Sequence, residues 1–567
     1  MSVTDTRATT ERELDRAVEE LKVGAERWAQ LPVADRGALF RRVHSSIAEV
    51  AEEWATTAAE AKHVAPSAPY AGEEWMTGPY GALESAATYA RSYEALAGGG
   101  SPLDGLAVGT APGDRVAVRV LPRTVKEWVL FNGFRAEVWM PPGATERQVR
   151  DGAGLGAGKV GEYGGVGLVL GAGNISSIAP LDAFYELAAH NRASLVKLNP
   201  TFGALLGVYR RALAPLIEAG VVRVVTGDGA TGAYLTRHSG IDKVHITGSA
   251  VTHDAIVWGT GEEAERRRAA DDPLLPVPIT SELGGVAPMI VVPGRWSAAD
   301  LRFQAEHLVS MRLHNAGHNC VAGQVVVLSA DWAQKDAFLA ELRRALATMP
   351  ARSPWYPGTD AKVARASDAH PGAEHVSGRI LVEVAPGDPA CTDEYFAPVL
   401  AWTQLPGEGA EFLRAAVGFA NDSLYGTLGA NLVVRPEDRA ALGTDFDAAI
   451  ADLRYGTIAI NAWTGVGFLL PGATWGAFPG HTVADVGSGI DVVHNGHLLA
   501  DPERSVVTGP FRPFPRSVLH GELSLFPKPP WFSGSRSGTE TGRRLTRYAA
   551  APSWGRLVPV LLAAFRA

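Results

Sequence analysis

The chain predicts an α/β protein built on parallel sheets, and three observations carry that prediction. First, residues 164–249 alternate apolar runs with helical stretches: "GGVGLVLGAGN", then "DAFYELAAHNRA", "SLVKLNP", "GALLGVYRRALAPLIEAG", "VVRVVTGD", "GATGAYLTRHSG" and "KVHITGS". Buried strands separated by helices are βαβ units, and their strands run parallel. Second, the alternation resumes near 290 with "APMIVVPG", the helical "AADLRFQAEHLVSMRLH" and "GQVVVLSADWAQKDAFLAELRRAL". Third, 567 residues exceed what one packed core usually spans, so two or three domains are expected.

The remaining elements follow in order. Residues 10–97 are rich in Ala and Glu at helical spacing. Residues 98–113 are Gly-rich loop. "RVAVRVLPRT" and "FRAEVWMPPG" alternate like hairpin or edge strands. "DGAGLGAGKV" (151–160) has the look of a phosphate loop, but Ala153 stands where the first Gly is needed and Val160 where Ser or Thr must follow the Lys. It reads as a flexible linker. Residues 351–378 read as loop, and the stretch after 500 as a Pro-, Arg- and aromatic-rich tail ending in a helix.

Composition narrows the function. Net charge is −9 without a long basic run, which gives no footprint for nucleic acid. Two cysteines, Cys320 and Cys391, make no disulfide framework, so a reducing compartment, the cytoplasm, is expected. The charged N-terminus lacks the apolar core of a signal peptide. No stretch reaches the roughly 18 uncharged apolar residues of a membrane span. The C-terminal "GRLVPVLLAAFRA" is read as docking on the body of the protein, with interfacial binding as the alternative.

A free Cys usually packs as a small hydrophobe. Cys391 has no motif around it and is read that way. Cys320 differs in its company. It lies in "HNAGHNCVAGQVVVL" (314–328), with "TSELGGVAP" (280–288) upstream and "EYFAPVL" (394–400) and "GTIAINAW" (456–463) downstream. "VLGAGNISSIAPLD" (169–182), "VKLNP" and "ITGS" (246–249) precede them. These motifs, in this order, resemble the aldehyde dehydrogenase superfamily over roughly residues 20–500.

The resemblance implies a fold and a chemistry. The fold would be two Rossmann-like α/β lobes: N-terminal helices with a dinucleotide-binding domain (1–289), and a catalytic domain carrying Cys320 (290–470). A small β oligomerisation element would form from strands near 115–145 and from residues 471–567, which also hold a C-terminal extension. A homodimer or homotetramer is expected. The substrate would be a small-molecule aldehyde, oxidised to a carboxylic acid through a thiohemiacetal and a thioester on Cys320. Asn174 would donate to the oxyanion and Glu282 would activate the hydrolytic water. The cofactor would be NAD or NADP, held by Lys197, Gly248, Ser249, Glu394 and Phe396, and no metal is called for. Ser249 also suits a plain N-cap.

Three departures from the family pattern stand out. NAD-preferring relatives often carry a Glu where this chain has Pro200, so NADP is compatible. The usual Pro-x-Gly-Gly stretch reads "LPGATWGAFPGH" (470–481). His318 occupies a position at which relatives more often place an amide, and could shift the thiol's pKa. A CoA-acylating dehydrogenase or acyl-CoA reductase, and a non-catalytic structural member, are the alternatives. Acylating relatives commonly lack the carboxylate that is Glu282 here, and a decayed site would be expected to have lost one of Asn174, Glu282 and Cys320.

Overall fold

The computed structural model describes residues 8–567, so the first seven residues of the N-terminal stretch lie outside the description. The first helix, Glu11–Gln30, starts at a capping box in which Thr10 and Glu13 satisfy each other's backbone N–H groups. Leu14, Val18, Leu21, Ala25 and Trp28 recur at three- and four-residue spacing and are buried as one stripe. Val33–Ala61 and Gly81–Ala97 pack against each other beside it.

Two sheets carry the molecule. In the smaller, strands Val222–Val225, Ala193–Lys197, Val166–Leu170, Lys243–Gly248 and Ile279–Leu283 lie side by side in that order, all parallel. Gly489–Ile490 closes the edge, antiparallel to Ile279–Leu283. The chain builds outward from Val166–Leu170, then crosses back to Lys243–Gly248. That reversal opens a crevice at the C-terminal strand ends, where open α/β sheets bind ligands.

The larger sheet has 11 strands. It begins in its own middle with Ala287–Val291, which follows Ile279–Leu283 after only Gly284, Gly285 and Val286. Gly323–Ser329, Val399–Leu405 and Arg379–Glu383 extend it to one side, and Gly429–Val433, Thr457–Ile460 and Arg504–Thr508 to the other, all parallel. The inner strands of both sheets are almost wholly apolar and buried, as sheets covered on both faces require.

Several expectations change here. Arg115–Leu121 and Arg135–Trp139 do not form a sheet apart: Arg135–Trp139 pairs antiparallel with Arg504–Thr508 and so continues the larger sheet. "RVAVRV" is therefore an inner strand, and Val108–Ala111 is the edge. The stretch after 500 opens with that inner strand, Arg504–Thr508, rather than with tail. Residues 351–378 are not all loop. They hold the helix Thr359–Ala369 and the short strand Glu374–Val376. That helix buries only Thr359 and Ala366, so it shows no apolar stripe to read. Residues 151–160 are not a flexible linker either: Leu155–Gly158 is a 3-10 turn, and a Cβ on Gly156 would lie 2.6 Å from the Ala189 carbonyl oxygen. Within the described residues no helix is long and apolar enough to cross a membrane.

Candidate active site

A cavity of about 560 Å³ lies between the C-terminal ends of the smaller sheet and the loops that feed the larger one. Every candidate residue lines it: Asn174, Lys197, Gly248, Ser249, Glu282, Cys320, Glu394 and Phe396. They come from six separate segments of chain. Lys197 ends its strand, Gly248 ends the strand on the far side of Val166–Leu170, and Ser249 caps the helix Ala250–Val257 by accepting from Thr252 N–H at 3.2 Å. The N-cap role and the place in the cavity coexist. Asp228, which the sequence did not single out, stands near Lys197 and caps the helix Gly229–Thr236.

Cys320 sits between a tight turn and the strand Gly323–Ser329. The turn is costly: Asn315, Ala316 and Gly317 have φ of 54°, 56° and 84°, two of them left-handed without being glycine. Surrounding contacts hold it. Asn315 N–H donates to Glu73 at 2.9 Å, its side-chain amide donates to the Asn174 and His318 carbonyls at 3.1 and 3.0 Å, and its Oδ1 accepts from the Trp355 indole at 3.2 Å. Asn174 donates its own amide to the His318 carbonyl at 3.0 Å. The turn before Cys320 and the candidate oxyanion donor are thus one hydrogen-bonded unit.

Beneath this unit lies a buried charge cluster. Lys62 and Glu74 pair at 2.8 Å, and Arg352 bridges to Glu73. Arg312 is fully enclosed. It donates to the Ala397 carbonyl at 2.9 Å and reaches Ala322 O and Gln324 Oε1 at 3.4 Å, tying the Cys320 strand to the "EYFAP" loop. Gln324 completes the tie: its amide donates to the Ala390 and Asp393 carbonyls at 3.0 and 2.8 Å, and its Oε1 accepts from Tyr395 N–H at 3.1 Å.

Glu282 is buried at the end of its strand. Its carboxyl meets the Cys320 thiol and the Trp475 side chain, and one oxygen is left without a partner. Burial pushes its pKa up to about 8, and the carboxylates of Asp182 and Glu394 add to the effect. Burial and the Glu282 charge raise the Cys320 thiol well above its ordinary value. At neutral pH the pair therefore rests with both protons on. Asp182 is itself buried. Burial alone would raise it, but His245 and His494, the latter at 3.1 Å, hold it below the usual carboxylate range.

Glu394 also keeps one oxygen unpaired, and burial raises it to about 7 against the pull of Lys362 and Arg312. Its carboxylate lies so close to Gly284 that a Cβ there would come within 2.2 Å of Glu394 Oε1. Phe396 has a left-handed φ of 47°. Lys362 sits 5.3 Å over its ring, and Tyr356 packs beside it. Lys362 and Tyr356 both line the cavity and belong to the stretch read as loop. His318 is not the modulator of the thiol that its position suggested. Burial and nearby cations, Arg352 first, depress it to about 3, its Nε2 meets Thr359 Oγ1 at 3.0 Å, and Trp355, Tyr356 and Phe396 enclose the ring. A neutral imidazole so held offers the thiolate no positive charge. Cys391 is buried, as read, and its thiol donates to the Ala385 carbonyl at 3.8 Å.

Residues 204–369 match the family model described as the aldehyde dehydrogenase family. Solved structures agree over most of the chain: γ-glutamyl-γ-aminobutyraldehyde dehydrogenase from Burkholderia cenocepacia aligns at a TM-score of 0.60 and 20% identity, covering 88% of this chain and 89% of that one. The chain has the aldehyde dehydrogenase fold. NADP-dependent glyceraldehyde-3-phosphate dehydrogenase from Bacillus halodurans, solved with NADP, shares this fold at a TM-score of 0.57, with 20% identity, over 88% of this chain and 92% of its own. Among curated proteins, the NADP/NAD-dependent aldehyde dehydrogenase PuuC of Escherichia coli K12 is 30% identical over 245 residues, 39% of this chain. That match covers 45% of PuuC, so the chain spans about half the length of this relative. The α/β architecture and the family resemblance read from the motifs both hold.

Proposed function

We propose that this chain is an NAD(P)-dependent aldehyde dehydrogenase of the hydrolytic type, with Cys320 as nucleophile, Glu282 as general base and Asn174 as oxyanion donor. One observation carries the reading: the eight candidate residues converge on one cavity, with the Glu282 carboxyl against the Cys320 thiol.

Residues suited to a dinucleotide are present. The crevice offers a helix N-terminus at Ser249, the Lys197 ammonium, and the unpaired Glu394 oxygen, which can accept from a ribose hydroxyl. Bound there, the dinucleotide supplies a hydride acceptor. The protein does the rest. The thiol proton passes to solvent, and the Cys320 sulfur adds to the aldehyde carbon as the carbonyl π pair moves onto oxygen. The oxyanion is met by the Asn174 amide and the Cys320 backbone N–H. Loss of hydride leaves a thioester. Ionised Glu282 then removes a proton from water, the water oxygen bonds to the acyl carbon, and the C–S bond breaks to release the acid, the Glu282 proton passing to the departing Cys320 sulfur.

Asn174→Ala is expected to lower kcat by roughly 10²–10³ with little change in KM, the typical loss for one oxyanion donor. Steady-state kinetics on the best aldehyde measure this, and a loss confined to KM would reassign Asn174 to substrate binding. The function itself is tested by absorbance of the reduced nicotinamide. The purified chain is mixed with aldehydes from short aliphatic to long-chain and aromatic, with NAD or NADP, with and without CoA. A CoA-independent rise is expected. A rise only with CoA would move the chain to the acylating branch, and silence in protein that binds dinucleotide would overturn the catalytic reading.

A further inference from the structure

The exposed apolar side chains of this protein are concentrated on one face. Of the fifteen large hydrophobics with exposed side chains among the described residues, eleven lie in residues 125–128 or 514–565. The centre of the face is the helix Trp554–Ala564. Its inward side chains, Leu557, Val560, Ala563 and Ala564, dock on the body. Its outward side chains, Trp554, Val558 and Leu562, recur every four residues and are 53%, 52% and 53% exposed, and Phe565 continues the stripe. A helix that is apolar all round belongs with both faces covered. Here only one face is.

The stripe does not stand alone. The helix Val125–Leu130 packs against this helix and presents Val125 and Trp128 outward. On the other side Phe514 and Phe526 meet the Phe565 ring at 6.1 and 5.6 Å, which joins the exposed residues 518–525 to the same surface. Contiguous apolar surface of this kind marks a docking site.

Charge identifies the occupant. Residues 511–567 hold nine Arg and Lys against two Asp and Glu; Arg512, Arg516, Lys528, Arg543, Arg544 and Arg547 pair with carboxylates, which leaves Arg536, Arg556 and Arg566. Lys126 and Arg556 lie in the two helices that frame the stripe and Arg566 just past the end of the second, and none has a carboxylate partner among the described residues. A two-fold dimer through this face would set the same cations against their own copies. An anionic lipid surface accepts both features: apolar side chains enter the headgroup boundary, Trp554 suits that depth, and the arginines reach phosphate. We propose that this face docks the protein peripherally on anionic lipid bilayers, without spanning them.

Co-sedimentation of the full chain with vesicles tests this, using phosphatidylcholine mixed with phosphatidylglycerol, and phosphatidylcholine alone. Binding to the anionic vesicles, weakened by salt, is expected. Val558→Asp combined with Leu562→Asp should lower the partition coefficient at least tenfold, and Arg556→Glu or Arg566→Glu roughly fivefold each. Turnover of a water-soluble aldehyde should stay at the wild-type level in all of them. Val558→Ser combined with Leu562→Ser provides the same test with a milder change, and a thermal melt confirms its fold. Absence of binding to the anionic vesicles would overturn the proposal. So would a wild-type dimer that the Asp variants split into monomers, which would assign the face to a second copy of the chain.

Discussion

Replacing Cys320 by alanine is expected to abolish aldehyde-dependent reduction of the dinucleotide while leaving dinucleotide binding and the fold in place. The argument is chemical. An aldehyde carbon gives up hydride readily only once a nucleophile has made it tetrahedral and placed negative charge on its oxygen. The cavity holds a single thiol, Cys320, and the other cysteine is buried elsewhere beneath the strands of the larger sheet. The Asn174 amide and the Glu282 carboxyl remain in the variant, but they have no covalent adduct on which to act. The structural cost should be small. The turn before Cys320 is held by Asn315, Glu73 and Trp355 rather than by the thiol. Titration of dinucleotide binding by fluorescence, a thermal melt and a turnover assay together decide the matter. Turnover above about one ten-thousandth of wild type would remove Cys320 from the nucleophile role, because the loss of an attacking group costs at least that much.

The parts of the molecule that the sequence revealed are those where local pattern and burial agree. The βαβ units from Val166 to Gly248 are apolar strands divided by helices of ordinary length, and a period-based reading finds them. The chemical motifs were legible because each places a reactive residue type at a strand end or in a Gly-rich turn. What escaped the reading escaped it for physical reasons. The helix Thr359–Ala369 is anchored by Thr359 meeting His318 and by Lys362 lying over Phe396, so contacts and not an apolar stripe fix it. Strand Arg504–Thr508 carries polar residues at both ends and follows a long irregular stretch. Its place between Thr457–Ile460 and Arg135–Trp139 depends on two partners far away in sequence. Arg312 did leave a signal: an arginine in the otherwise apolar "LVSMRL" has to find buried acceptors. Asp182, His245, His494 and Trp475 gave none, because they meet around Glu282 only after both sheets have formed.

Changing Glu282 to glutamine should separate the two halves of the reaction. The acyl half is expected to survive. Glu282 is one of the groups that raise the Cys320 thiol, so an uncharged amide there makes the thiolate easier to form. The hydrolytic half is expected to fail, since glutamine takes no proton from water. A rapid burst of about one reduced dinucleotide per site should precede a steady state slower by roughly 10²–10⁴, the usual contribution of a general base. Hydroxylamine, which needs no base to attack a thioester, should restore turnover. The pH dependence gives an independent check. Burial lifts Glu282 to about 8, so at neutral pH most of it is protonated and inactive as a base. Wild-type kcat should therefore climb as pH rises from 6 toward about 8 and level off above it. The glutamine variant should lack that limb. A wild-type profile without it, or a variant turning over at the wild-type rate with no burst, would place the base elsewhere. Glu394, raised to about 7 in the same cavity, would then be the carboxyl to replace next.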